Sequence, residues 1–211
     1  MSTEQPDNQN QGGNQPQPSG EQGAFTQEIK HQQVSARVPE KVSRGVFSTG
    51  ALVLQGPHEF VLDFVLRMTM PYMISARVIL PFSLMPSMIA ALRENLSNFQ
   101  KRYGPPPALP TPPPDTKPPT IEEIYDQLKL PDEQLSGVYA NAVMIAHTPS
   151  EFCFDFITNF YPRSSVSCRV YLSVPQVPRF LDTLTRSFQQ YQQKLAAQRQ
   201  NPPEAPRSPE L

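Results

Sequence analysis

The sequence predicts an α+β protein made of two tandem βββα repeats. Each repeat is an antiparallel meander closed by a C-terminal helix, and the two are expected to form one pseudo-twofold unit. Three observations carry this reading. The hexapeptide EFVLDF at Glu59–Phe64 returns as EFCFDF at Glu151–Phe156. Shifting the chain by 92 positions pairs residues 38–103 with 130–195 without a gap, and fifteen of those 66 pairs are identical. An apolar stripe at helical spacing closes each copy at the same offset.

The elements follow in chain order. Residues 1–36 form an N-terminal tail. Ser2–Ala24 contains no large apolar residue, so burial cannot offset the entropy of ordering, and the tail is expected to be disordered. Repeat one occupies residues 37–103. Val46–Leu54 is a β-rich run that ends at the turn QGPHE, followed by a strand over Phe60–Met68, a break at TMPYM, and a strand over Ile74–Leu80. Met85, Met88, Ile89, Leu92, Leu96, Phe99 and Tyr103 then recur at i, i+3, i+4 and i+7, which predicts a helix with one buried face. Pro86 falls in its first turn, where a missing N–H does no harm.

Residues 104–119, GPPPALPTPPPDTKPP, hold nine prolines in sixteen positions. They read as a polyproline II spacer of roughly 50 Å when fully extended. The spacer reading outweighs the PxxP spacing, which could dock an SH3-like groove. Residues 120–130, TIEEIYDQLKL, read as a short helix. Thr120 and Glu123 make a capping box, and Ile121, Ile124, Tyr125 and Leu128 form the apolar side. Repeat two occupies residues 131–195, with strands over Val138–Ala146, Phe152–Phe160 and Val166–Leu172, and breaks at HTPSE and YPRSS. Its helix carries Val177, Phe180, Leu181, Leu184, Phe188, Tyr191 and Leu195, with Pro178 in the first turn. Residues 196–211 are polar and Pro-rich, and are expected to be a disordered C-terminal tail.

Strand alternation assigns the sheet faces. Phe60, Leu62, Phe64, Ala76, Val78 and Leu80 should face the helix, as should their copies Phe152, Phe154, Phe156, Cys168, Val170 and Leu172. The opposite face carries Glu59, Val61, Asp63, Val65, Ser75, Arg77 and Ile79, then Glu151, Cys153, Asp155, Ile157, Ser167, Arg169 and Tyr171. That face is half apolar, which is unusual for a solvated sheet. A turn about Met70 sets Asp63 opposite Arg77, and a turn about Pro162 sets Asp155 opposite Arg169. Each pair reads either as an ordinary surface ion pair worth ~0–1 kcal/mol or as a charge pair inside a sheet-to-sheet interface, where it would fix register. The candidate interface or structural residues are therefore Asp63, Arg77, Asp155, Arg169, Glu59, Glu151 and Tyr171.

Several function classes are unfavoured. Net charge is −1, and residues 45–103 and 137–195 each hold five basic against three acidic residues, too weak a surplus for a nucleic-acid stripe. No apolar h-region opens the chain, and no apolar run approaches the roughly 18 residues of a membrane span, so a cytoplasmic protein without a membrane partner is expected. The two cysteines, Cys153 and Cys168, should point to opposite sheet faces, which suits neither a disulfide nor a metal pair. The three histidines do not repeat, and no HExxH, CxxC, Walker, GxGxxG or GxSxG pattern occurs. No catalytic, cofactor-binding or metal-binding residue is expected, and the chain is not read as an enzyme.

The second repeat reads SGVYANAVMIAHTPSEFCFDF, then VSCRVYLSVPQVPRFLDTLTRSFQQYQQK. It closely resembles the bacterial domain of unknown function family 3467, whose pattern matches Gly137, Tyr139, Asn141, His147, Thr148, Glu151, Phe152, Asp155, Phe156 and Arg169. The first repeat keeps Gly45, Glu59, Phe60, Asp63, Phe64 and Arg77 but departs at Phe47, Thr49, Gln55 and Gly56. Any role of the Tyr, Asn and His is therefore expected only in the second copy. The resemblance implies a small cytoplasmic bacterial module and supplies no catalytic residue. The leading expectation is a non-catalytic interaction module, a chaperone-like or scaffold subunit binding an unknown polypeptide. In outline the plan is similar to SecB-type export chaperones, which is fold analogy alone. The alternative is a nucleic-acid-associated or transcription-associated factor, since repeated units of this kind also resemble the PUR repeat. Such folds need exposed aromatics interleaved with Arg or Lys; the outer face offers Tyr171, Arg169 and Arg67, but most aromatics point toward the helix.

Overall fold

The computed structural model describes residues 36–111, 113, 117, 119–160 and 162–200. Apart from Ala36, the expected N-terminal tail lies outside the described residues, as does the C-terminal tail from residue 201 onward. The first repeat runs α1 (Glu40–Ser43), β1 (Val46–Ser48), β2 (Gly50–Gln55), β3 (Glu59–Leu66), β4 (Tyr72–Pro81), a 3₁₀ turn at Phe82–Leu84, and α2 (Met85–Tyr103). Then come α3 (Ile121–Tyr125) and β5 (Leu128–Lys129). The second repeat runs α4 (Asp132–Leu135), β6 (Val138–Tyr139), β7 (Ala142–His147), β8 (Glu151–Thr158), β9 (Ser165–Ser173), a 3₁₀ turn at Val174–Gln176, and α5 (Val177–Gln200).

The meanders β2–β3–β4 and β7–β8–β9 are antiparallel and share one register at the offset of the sequence repeat. Asp63 lies opposite Arg77, and Asp155 opposite Arg169. A bulge between Phe64 and Val65 recurs between Phe156 and Ile157. The extra residues are Ser75 and Ser167, on β4 and β9. Val65 and Ile157, which alternation puts on the outer face, are fully buried yet do not belong to the shared inner core.

The expected first strand is two strands in each copy, and they belong to different sheets. β1 leaves its own repeat and pairs in parallel with β9, Val46 beside Val170. β6 does the reciprocal thing, with Val138 beside Val78 of β4. Arg37 bridges Ser165 just as β5 pairs with Tyr72 and Met73. Each repeat thus begins with an arm, residues 37–48 or 128–140, that lies along the edge of the other repeat's sheet. Ser48 marks one switch point: its buried hydroxyl donates to the carbonyls of Gly50 at 2.5 Å and Val65 at 3.1 Å.

The helices cross over as well. A helix covering only its own meander is corrected by the aromatic contacts. Phe99 of α2 meets Phe152 of the other repeat at 5.6 Å. Phe180 and Tyr191 of α5 meet Phe64 at 5.7 Å and Phe60 at 6.0 Å. Phe64 also touches Phe156 at 5.6 Å, so the inner faces of the two sheets share one core. A lone sixty-residue unit buries too little to be comfortable, and exchange of arms and helices gives both halves a common interior.

Two boundaries differ from expectation. The short helix stops at Tyr125, and Leu128–Lys129 extends as β5, because the edge of β4 offers partners to its backbone groups. Its capping box is present, with Thr120 accepting from the Glu123 amide. The last helix runs to Gln200, since Ala196, Ala197, Gln198 and Arg199 are good helix formers.

Candidate functional site

Two Asp–Arg pairs sit where the arms cross the sheets. Arg77 donates through Nε to Asp63 Oδ1 and through Nη2 to Asp63 Oδ2, both at 2.7 Å. Its third nitrogen, Nη1, donates to the carbonyl of Leu135 at 3.2 Å, at the end of α4 in the other repeat's arm. Arg169 repeats this with Asp155 at 2.6 and 2.7 Å, and reaches the Ser43 carbonyl at 3.1 Å at the end of α1. The fork geometry of guanidinium allows a bidentate ion pair with a donor left over. Each arginine therefore ties its own sheet to the other repeat's arm.

The glycines complete these clasps. Gly137 has φ +66°, and a Cβ there would lie 2.8 Å from Arg77 Cγ. Gly45 has φ +65°, and its Cβ would lie 2.6 Å from the Tyr171 ring and 2.8 Å from Arg169 Cγ. Tyr171 thus packs over the first arm. The sheet-to-sheet reading of the ion pairs is replaced, because the sheets share their inner faces and the arms cover the pairs from outside.

The clasps differ in one respect. Tyr125 of α3 donates its hydroxyl to Asp63 Oδ2. The Asp63 side chain is 0% exposed, against 14% for Asp155. Burial, and then the bond to Asp63, hold the Tyr125 hydroxyl well above its ordinary range. The hydrogen bonds to Asp63 and Asp155 likewise raise Arg77 and Arg169, against the opposing effect of burial.

The remaining candidates serve turns. Glu59 accepts from the His58 amide at 3.2 Å, and Glu151 accepts from the Thr148 hydroxyl at 2.8 Å, so each closes a β-hairpin. Asn141 brackets the backbone of Asn159, accepting from its N–H at 2.7 Å and donating to its carbonyl at 3.3 Å. The expectation that this role exists only in the second copy is corrected, because Thr49 accepts from the Arg67 amide at 2.8 Å in the matching place. His147 lies 3.3 Å from Asn95 of α2 and packs on Phe99 and Phe152.

A family model described as "Protein of unknown function (DUF3467)" matches residues 4–106 and again residues 111–197. The chain belongs to the DUF3467 family, with two copies in tandem. No curated protein and no solved structure matches it. In this DUF3467 chain the signature residues of the second repeat map onto hairpin turns, the arm crossings and the inter-repeat core, with Tyr139 left half-exposed.

The half-apolar outer faces expected from strand alternation are extended in the DUF3467 sheets by residues of the exchanged arms. The register lines up Leu54, Val61, Ile79 and Tyr139 as one apolar row across the outer face of the first sheet. It lines up Ala146, Cys153, Tyr171 and Phe47 across the second. The fourth member of each row comes from the other repeat's arm, which is why reading one repeat alone missed it. Phe47 and Tyr139 are each 42% exposed. Burial pushes the Cys153 thiol up to about 11 and the Cys168 thiol up to about 12, so both are protonated and weakly nucleophilic. Among the described residues, no group of His, Cys, Asp and Glu is arranged to hold a metal ion, and no helix is long and apolar enough to cross a membrane.

Proposed function

We propose that the protein is a non-catalytic polypeptide-binding module, a chaperone-like or scaffold subunit that takes an unfolded apolar segment of another chain on its outer sheet faces. The observation that carries this is the pair of apolar rows, each ending in a half-exposed aromatic, Tyr139 or Phe47, from an exchanged arm. A contiguous apolar row on a face open to water is the usual mark of a contact surface. Aromatic anchors beside aliphatic neighbours suit segments of varied sequence. The signature polar residues point to fold maintenance, which supports binding over chemistry. Two unpaired thiols suit a reducing compartment such as the cytoplasm.

One observation favours nucleic acid instead. Tyr139 and Phe160 stack nearly parallel, 6° between planes at 6.0 Å, and Phe160 is 55% exposed. A base could extend such a stack. The deciding experiment titrates the intact chain with a labelled, permanently unfolded polypeptide and with a labelled single-stranded oligonucleotide at physiological salt. Polypeptide binding that falls at least tenfold in the Phe47→Ser/Tyr139→Ser double variant supports the module. Oligonucleotide binding without polypeptide binding overturns it.

A further inference from the structure

We propose that Asp155, Arg169 and Met144 form the seat for a short helix of a partner polypeptide that offers a tyrosine hydroxyl and a neighbouring aliphatic side chain. The proposal rests on the polypeptide-binding reading and adds to it one site and one ligand chemistry. The first repeat shows the matching seat occupied by the chain itself. There the five-residue helix α3 puts the Tyr125 hydroxyl on Asp63 Oδ2, beside the Nη2 of Arg77. Ile124 of the same helix borders a groove shared with Leu52 and Arg67. Under this cover Asp63 is completely buried and Leu52 is half-buried.

The pseudo-twofold carries each part of that seat to the other sheet. Leu52, Asp63 and Arg77 stand in one cross-strand row, and Met144, Asp155 and Arg169 stand in the same row of the second sheet. Among the described residues, Asp155 receives two arginine bonds and the Cys153 thiol at 3.8 Å, but no hydroxyl. Met144 is 49% exposed where its counterpart Leu52 is not. A carboxylate has room for more than the two bonds Arg169 supplies. The arginine already balances its charge, so a neutral donor suits the remaining position better than a second cation. A tyrosine ring also packs well on the thioether of Met144. A phosphorylated side chain would meet repulsion from Asp155.

The test uses a fluorescent peptide with the sequence of residues 120–129, TIEEIYDQLK, titrated into the intact chain and followed by anisotropy. Saturable binding is expected. Replacing the peptide's tyrosine by phenylalanine should weaken it about tenfold, as loss of a hydrogen bond to a charged group does. Asp155→Asn should weaken it by a similar factor. Met144→Ser should weaken it without touching the ion pair, which keeps the test valid if Asp155→Asn disturbs the fold. Peroxide should oxidise Met144 of the free chain as fast as exposed Met68, and the peptide should slow that oxidation. No binding up to about 1 mM, or binding indifferent to both the tyrosine and Met144, overturns the proposal. It is also overturned if Met144 of the free chain is as resistant as buried Met88, because the seat would then be covered by this chain or a second copy. An unfolded polypeptide that still needs Phe47 and Tyr139, in a chain that ignores this peptide, sinks the seat and leaves the module standing.

Discussion

At Gly137 a side chain is opposed twice, by a φ of +66° and by Arg77 Cγ 2.8 Å from where Cβ would lie. Gly45 faces the same two obstacles from Arg169 and Tyr171. Gly137→Ala and Gly45→Ala should each lower the unfolding free energy by about 2–4 kcal/mol, combining left-handed strain with overpacking. Urea titration checks this. Gly50→Ala is the control, since nothing lies within 4 Å of its Cβ position, and its change should stay within about 0.5 kcal/mol. The ion pairs should rank by burial. Asp63→Asn leaves Arg77 facing a neutral partner in a closed site and should cost about 3–5 kcal/mol. Asp155→Asn, on a side chain 14% exposed, should cost clearly less. The thiols set an alkaline limit. Cys168 holds its proton to about 12 in the fold, against an ordinary 9.0. An unfolded chain therefore loses that proton first as pH rises. This contribution to stability should be complete below pH 9 and disappear between about 9 and 12, and Cys168→Ala should flatten part of that decline in denaturation curves across pH. The acid–base partners at this scale were legible, because alternation and one assumed turn put Asp63 opposite Arg77. The reason for the glycines was not. The atoms they avoid belong to the other repeat, 60 or more residues away in the chain for Gly137 and Arg77.

Long, periodic elements are the ones that pattern reading finds. The strands β3, β4, β8 and β9 and both long helices lie within a few residues of expectation, apart from the five-residue extension of α5, because eight or more residues of alternation or of helical stripe override local ambiguity. β1, β5 and β6 have two or three residues each and pair in parallel with another repeat, so no period marks them. Their positions follow from edge strands seeking partners, which is a tertiary demand. α3 stands between these cases. Its capping box was readable, but its C-terminal end was not, since β4 recruits Leu128 and Lys129 into the sheet. With none of its residues buried, α3 depends on its cap and on Tyr125. Thr120→Ala should remove about 1 kcal/mol of local stability. Hydrogen exchange in Glu122–Tyr125 should then speed up several-fold, while the global unfolding midpoint shifts little. An unchanged exchange rate would mean that docking through Tyr125 alone holds the helix.

The whole molecule is best understood as two half-domains that cannot be completed separately. Each sheet takes its last strand from the other repeat's arm, each arginine clasp takes a carbonyl from it, and each long helix places aromatics on the other repeat's phenylalanines. Removing one half would expose the inner face of the remaining sheet and leave Arg77 or Arg169 without its carbonyl. The loss would far exceed the ~5–15 kcal/mol that holds a typical domain together. Residues 38–103 and 130–195, expressed apart, should therefore not yield stable monomers. Either should be largely unfolded or should pair with a copy of itself, since the register of the exchange is the same in both repeats. Mixed, they should assemble one to one. The intact chain should unfold in a single cooperative transition, because one core spans both repeats. Circular dichroism and native mass spectrometry of the separate and mixed halves decide the matter. Two folded monomers with no affinity for each other would mean that the exchanged arms contribute little, and that the proline-rich connector merely tethers independent domains.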